Sequence, residues 1–177
     1  VSSICNNAFN DCSKLTGELI IPDSVTSIGS QAFSGCKELT SLVIGTGVTS
    51  ISSFAFNNCS KLTGELVIPD SVITIGISAF TSCSSLISLV IGNGVTSIGQ
   101  SAFSNCSGLT CELVIPDSVI SIGQSAFSSC SKLTGELVIP DSVTSIGDSA
   151  FSGCSGLTCE LVIPDSVITI GISAFTS

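Results

Sequence analysis

The dipeptide Ala-Phe returns eight times, ending at Phe9, Phe33, Phe56, Phe80, Phe103, Phe127, Phe151 and Phe175, with successive copies 23 or 24 residues apart. From Cys12 to Cys154 each motif also carries Cys three positions after Phe. A unit this small cannot bury its own apolar residues, so copies held in register along a chain must stack and share one core. The expected fold is a repeat solenoid, mainly β with short 3₁₀ or helical turns, in one unbroken array of about seven coils across residues 1–177. Both ends of the sequence fall inside repeats, which leads us to expect an interior piece of a longer protein.

The segment Leu133–Cys154 illustrates one unit. Glu136-Leu137-Val138-Ile139, aliphatic and bounded by Gly135 and Pro140, predicts a short strand. Alternation puts Leu137 and Ile139 on the core side, with Glu136 and Val138 facing away. Pro140-Asp141-Ser142 predicts a turn, in which Pro sets φ and Asp hydrogen-bonds backbone two residues on. Val143–Ile146 predicts a second extended segment closed by Gly147. Ser149-Ala150-Phe151 predicts one helical or 3₁₀ turn with Phe151 as core anchor. Two copies are a residue shorter, through Ser41–Val48 and Ser88–Val95, and carry Gly-Thr-Gly or Gly-Asn-Gly in place of Pro-Asp-Ser. Their glycines predict a tighter turn that uses positive φ.

Charge removes several function classes. Thirteen acids against four Lys, with no Arg, give a net charge of −9, whereas phosphate binding needs a basic face; nucleic acid and anionic membrane surfaces are therefore not expected partners. No apolar run approaches the ~18 residues of a membrane span. His, Tyr, Trp, Met and Arg are all absent, which removes the usual acid–base, stacking and phosphate-clamping side chains. The many Ser residues have no base to activate them, so no enzyme and no cofactor is expected.

Four columns of side chains are candidates for a role. The first is Cys12, Cys36, Cys59, Cys83, Cys106, Cys130 and Cys154. In-register neighbours keep their Cβ atoms near the ~4.8 Å coil spacing, beyond the ~3.5–4.5 Å of a disulfide, so free thiols packed as small hydrophobes are expected. No Cys-x-x-Cys pair or His offers a zinc set. Cys111 and Cys159 replace a bend Gly two coils apart, ~10 Å, too far to pair; their redox state and that of Cys5 stay open.

The second and third columns are acidic: Glu18, Glu65, Glu112, Glu136 and Glu160 before the strand, and Asp23, Asp70, Asp117, Asp141 and Asp165 after Pro. Turn capping and solvation account for them; calcium bridging of neighbouring carboxylates is the alternative, though no single coil offers several ligands. The fourth is Ile20, Val43, Val67, Val90, Val114, Val138 and Val162, an outward β-branched stripe beside the Glu column. It reflects either β-propensity alone or a contact surface for a protein partner. A Thr lattice of the ice-binding kind fails because Ile73, Ile120 and Ile168 interrupt it. Asn58 and Asn105 open Asn-Cys-Ser sequences that fit the glycosylation acceptor pattern, relevant only on a eukaryotic secretory route.

The string Leu-x-Ile-Pro-x-Ser-Val-Thr-Ser-Ile-Gly-x-x-Ala-Phe-x-x-Cys-x-x-Leu resembles the BspA-like class of leucine-rich repeats over nearly the whole chain. The resemblance implies a curved right-handed coil with a parallel sheet on its concave side. It also implies a secreted or cell-surface protein of a bacterium or protist, used in attachment or protein binding. These copies lack the Asn ladder of ordinary leucine-rich repeats, and the resemblance places the repeated Cys in a comparable interior column. A non-catalytic extracellular scaffold that binds protein through its strand face is the expected function. The competing class is self-assembly, end to end or lateral, into filaments through exposed strand edges.

Overall fold

The computed structural model describes residues 1–158 and 161–176. Its spine is a parallel eight-stranded sheet with one two-residue strand per coil: β1 (Ser3–Ile4), β3 (Ser27–Ile28), β5 (Ser50–Ile51), β7 (Thr74–Ile75), β9 (Ser97–Ile98), β10 (Ser121–Ile122), β11 (Ser145–Ile146) and β12 (Thr169–Ile170). Every pairing joins equivalent residues, such as Ile122 with Ile98 on one side and Ile146 on the other. Longer strands form two further pairs, β2 (Gly17–Ile21) with β4 (Leu39–Ile44) and β6 (Gly64–Ile68) with β8 (Leu86–Ile91).

Stacking equivalent positions turns each apolar residue type into a column. The Phe rings lie nearly parallel, with neighbouring centroids 5.0–5.4 Å apart from Phe9 through Phe175, an offset-stacked geometry that aromatic quadrupoles favour. Val25, Val48, Val72, Val95, Val119 and Val143 form a second buried column, and Ile28 through Ile146 a third. The hydroxyls join in: Ser71, Ser118 and Ser142 donate to the carbonyls of Val48, Val95 and Val119, one coil back, at 2.6–2.7 Å.

The segment around Phe departs from the helical or 3₁₀ turn expected of it. Its i→i−3 bonds exist, as from Ala150 N–H to the Gly147 carbonyl and Ser152 N–H to that of Ser149. The intervening residues turn left-handed instead, with φ of 54° at Ser125 and Ser149 and 62° at Ser129. The N–H groups of these residues and of the Phe between them point along the stack: Ser125 donates to the Asp148 carbonyl, Phe127 to Ala150 and Ser129 to Ser152, at 2.7–2.8 Å. Positive φ is uncommon for non-glycine residues, and here each such residue except Ser173, in the last coil, gains an inter-coil bond among the described residues. Phe54, with φ of 60°, is the bulkiest residue placed this way.

Two further expectations need correction. The glycines of the short coils, Gly45, Gly47, Gly92 and Gly94, do not have positive φ. They are required by close approach: a Cβ on Gly45 would lie 2.5 Å from the Pro22 carbonyl carbon, and one on Gly47 would overlap the Asp23 carbonyl oxygen. The strand expected at Glu136–Ile139 is also absent, as are its equivalents from Leu113 to Ile115. The in-and-out alternation survives there, with Leu137 and Ile139 buried and Glu136 and Val138 exposed. The Pro turn forms as expected, closed by Val143 N–H to the Pro140 carbonyl at 3.0 Å.

Ladders form only from a 24-residue coil to the 23-residue coil after it. The register shifts between Gly17 and Glu18 and between Gly64 and Glu65, where Thr40 or Ile87 of the shorter coil is passed over in the pairing. Beyond β8, long coil follows long coil, and in-register pairing would set Glu112 opposite Glu136. Like charges directly opposite on a sheet destabilise it. Glu112 instead bridges Thr134.

Truncation tests the core. Phe103→Ala, at a fully buried ring between two others, is expected to cost about 3–5 kcal/mol in urea unfolding. Phe9→Ala, at a ring 43% exposed, is expected to cost clearly less.

Candidate binding face

The stripe of outward β-branched residues is where the sequence places it. Ile20, Val43, Val67 and Val90 lie on β2, β4, β6 and β8, and Val114, Val138 and Val162 continue the column through the irregular segments. All seven are exposed: Val43, Val67 and Val90 at 45–46%, and Val114, Val138 and Val162 at 59–67%. Ile20, on the first paired strand, is 61% exposed, so the least exposed members are the three in the middle of the paired strands. Ile87, on β8, adds to this face, and sequence reasoning missed it. Its signal was Ile in place of Thr40 of the other short coil.

Acids flank the stripe on both sides. Glu18, Glu65, Glu112 and Glu136 are exposed along one edge, and Asp23, Asp70, Asp117, Asp141 and Asp165 along the other. Glu160, like Cys159, lies outside the described residues. In the first half the neutral residues of the short coils act as donors to these acids. Ser41 and Ser88 reach Glu18 and Glu65 at 3.4 Å. Asp23 accepts from the Thr46 N–H at 2.7 Å and its hydroxyl at 3.0 Å, and Asp70 accepts from the Asn93 N–H at 2.6 Å. Asp caps the next coil's turn, then, rather than its own. In the second half Asp117 and Asp141 precede further Pro-Asp turns, and neither makes such a bond among the described residues.

All four lysines lie between Cys and the following strand, away from both acid columns. The one ion pair among the described residues, Lys61 to Glu38 at 2.7 Å, is confined to that segment. Two clefts open on the face. One of about 640 Å³ spans β4, β6 and β8 and is lined by Val67, Val90, Asp70 and Asn93 among others. A smaller one of about 180 Å³ is lined by Glu136, Leu137, Val138, Ile139, Asp141, Val162 and Pro164. Among the described residues no group of His, Cys, Asp or Glu is arranged to hold a metal ion. Asn105 is exposed and Asn58 half-buried, both left-handed at φ of 59° and 58°.

Residues 2–134 and 133–177 match the family of BspA type leucine rich repeat regions, in six copies. The chain belongs to this BspA-type leucine-rich-repeat family. It is similar to a solved leucine-rich-repeat protein of T. pallidum, TpLRR, at 32% identity and a TM-score of 0.79, over 89% of this chain and 72% of that one. It is also similar to leucine-rich-repeat proteins of Bacteroides ovatus (29% identity, TM-score 0.68, 97% and 49% covered) and Eubacterium ventriosum (26%, 0.76, 92% and 42%). The chain thus spans less than half the length of these last two. No curated protein matches it.

The thiol column of this BspA-type array is built into the backbone network. Cys36, Cys59, Cys83, Cys106, Cys130 and Cys154 are buried, and each Sγ donates to the carbonyl of the Phe one coil back, at 3.1–3.2 Å. The Phe33 carbonyl, for example, accepts both the Cys36 N–H and the Cys59 thiol. The sequence suggested small hydrophobes; the Cys column also fills the second lone pair of an interior carbonyl. Cys5 and Cys12 are free and exposed, and Cys111 is free and half-buried, with no positive φ at the place of the bend glycine.

Burial pushes the column thiols up, to about 11 at Cys36 and Cys154 and about 12 at Cys59 and Cys106. Folding therefore holds protons that the unfolded chain releases near ~8.5. Stability is expected to be full below that pH and to fall as pH rises toward 11–12, read as a declining urea midpoint. At pH 8 a thiol reagent is expected to label Cys5 and Cys12 at once and the column only on unfolding.

Proposed function

We propose that this chain is a non-catalytic scaffold displayed outside the cell that binds protein partners through the valine stripe. The observation that carries this reading is the stripe itself: seven β-branched residues in one column, each 45–67% exposed. A contiguous apolar band of this kind marks an interaction surface more often than isolated exposed residues do. Stacked coils hold it rigidly, so a partner does not have to order the face on binding. Leucine-rich-repeat proteins typically bind protein partners, and a pneumococcal vaccine antigen, PcpA, shares the fold at 26% identity and a TM-score of 0.56. These likenesses favour surface display and adhesion. Among the described residues no helix is long and apolar enough to cross a membrane.

Lateral self-assembly is opposed by the charge, since a second copy would bring the same acid columns against this face.

The test is retention of chain-coated beads on immobilised extracellular-matrix proteins. Val67→Lys with Val90→Lys is expected to lower retention by about tenfold or more, with the thermal melt unchanged because both side chains point to solvent. Equal retention by the native and substituted chains would remove the stripe from the binding surface.

A further inference from the structure

We infer that the C-terminal half of this face, centred on the cleft between Val138 and Val162, receives a cationic segment of a foreign protein, one that alternates Lys or Arg with aliphatic residues. The inference rests on the stripe being a binding face and adds the chemistry of what binds.

The two halves of the face differ in a way that bears on charge. In the first, every column acid faces a neutral donor on the next coil: Ser41, Thr46, Ser88 or Asn93. In the second, Glu112 is followed by Glu136, and Asp117 by Asp141 and then Asp165, with no intervening donor. Glu112 bridges Thr134 and is offset from Glu136, but in the Asp column carboxylates one coil apart repel by about 1 kcal/mol per pair even in water. That repulsion is relieved by a cation placed between them. No lysine of this chain lies in either column, so the cation must come from elsewhere.

The cleft matches the side chain such a partner would offer. It is lined by Leu137, Val138, Ile139, Val162 and Pro164, together with the carboxylate residues Glu136 and Asp141 that flank Val138 in the chain. Lys and Arg bury an aliphatic stem along apolar surface while the charged head stays near water and counter-charge. A stem lying on Val138 and Val162 delivers the head to either carboxylate. A wholly apolar segment would leave the stacked acids unrelieved, and a wholly basic one would leave the valines exposed. A second copy of this chain does not qualify, because it carries net charge −9 and keeps its lysines apart from aliphatic alternation.

The experiment uses the native chain and four synthetic peptides, (Lys-Val-Ser)5, (Gln-Val-Ser)5, (Glu-Val-Ser)5 and (Lys-Ser-Ser)5, with binding read by fluorescence anisotropy at low and physiological salt. The expected result is that (Lys-Val-Ser)5 binds at least about tenfold more tightly than the other three, and more tightly at low salt. Glu136→Gln with Asp141→Asn is expected to weaken it by about tenfold. Glu18→Gln with Glu65→Gln, in the half already supplied with donors, is expected to change it by less than about twofold. Failure of (Lys-Val-Ser)5 to bind, or equal affinity in the Glu136→Gln, Asp141→Asn variant, overturns the inference. Binding of (Gln-Val-Ser)5 as tightly as the lysine peptide, abolished by Val138→Lys, also overturns it while leaving the valine stripe as a binding face.

Discussion

Everything in this molecule depends on the backbone hydrogen bond between equivalent positions of successive coils. A coil with two-residue strands and left-handed turns has almost no internal ladder, so the backbone N–H groups that its own i→i−3 turns leave over find partners one coil away. That requirement forces register, and register in turn sets Phe on Phe, Val on Val and thiol on carbonyl. The side-chain columns are consequences of the backbone rule as well as contributors to stability. Gly99, Gly123 and Gly147 show how tight the approach is: a Cβ on Gly123 would sit 2.6 Å from the Gln100 nitrogen. Ser52 occupies the same place in one coil, so the fit tolerates a local adjustment.

What was legible in the sequence was the periodicity and the inward-facing set. Phe, Val, Ile and Cys at fixed offsets named the core columns, and alternation named Val67 and Val90 as outward. Local conformation was less accessible. Ser125 and Ser149 carry no sequence mark of a left-handed residue; Ser is not a residue that prefers positive φ. In the stack the neighbouring coil supplies an acceptor for the N–H of each, a tertiary contribution that no local propensity encodes, although Ser173 keeps a left-handed φ without one among the described residues. The short-coil glycines misled in the opposite direction, since glycine signals both positive φ and close approach, and only the packing separates the two. The Asp column was read as capping its own turn, whereas Asp23 and Asp70 accept from the turn of the coil above.

The single-residue difference between coil lengths has effects that reach the surface. Where a short coil follows a long one, Ser41 or Ser88 falls opposite Glu and a ladder forms. Where long follows long, in-register pairing would set Glu opposite Glu, and in its place stands the single bridge from Glu112 to Thr134. Deletion of one residue therefore changes both the charge pairing and the regularity of the strand. The continuous eight-stranded spine is indifferent to this, because the length difference is absorbed before each Ser-Ile strand.

Core and face are consequently separable. In Leu-Val-Ile the flanking residues are buried and the central one exposed, so neighbouring positions of one tripeptide serve opposite ends. Substitution at Leu137 or Ile139 opens a cavity in the shared core and is felt by the coils above and below. Substitution at Val138 or Glu136 alters only what the face presents. A solenoid of this kind can thus change its partner one exposed column at a time while the inter-coil backbone bonds stay intact. The outward column illustrates this: β-propensity accounts for β-branched residues there, and the proposed contact is what would add a second reason for them.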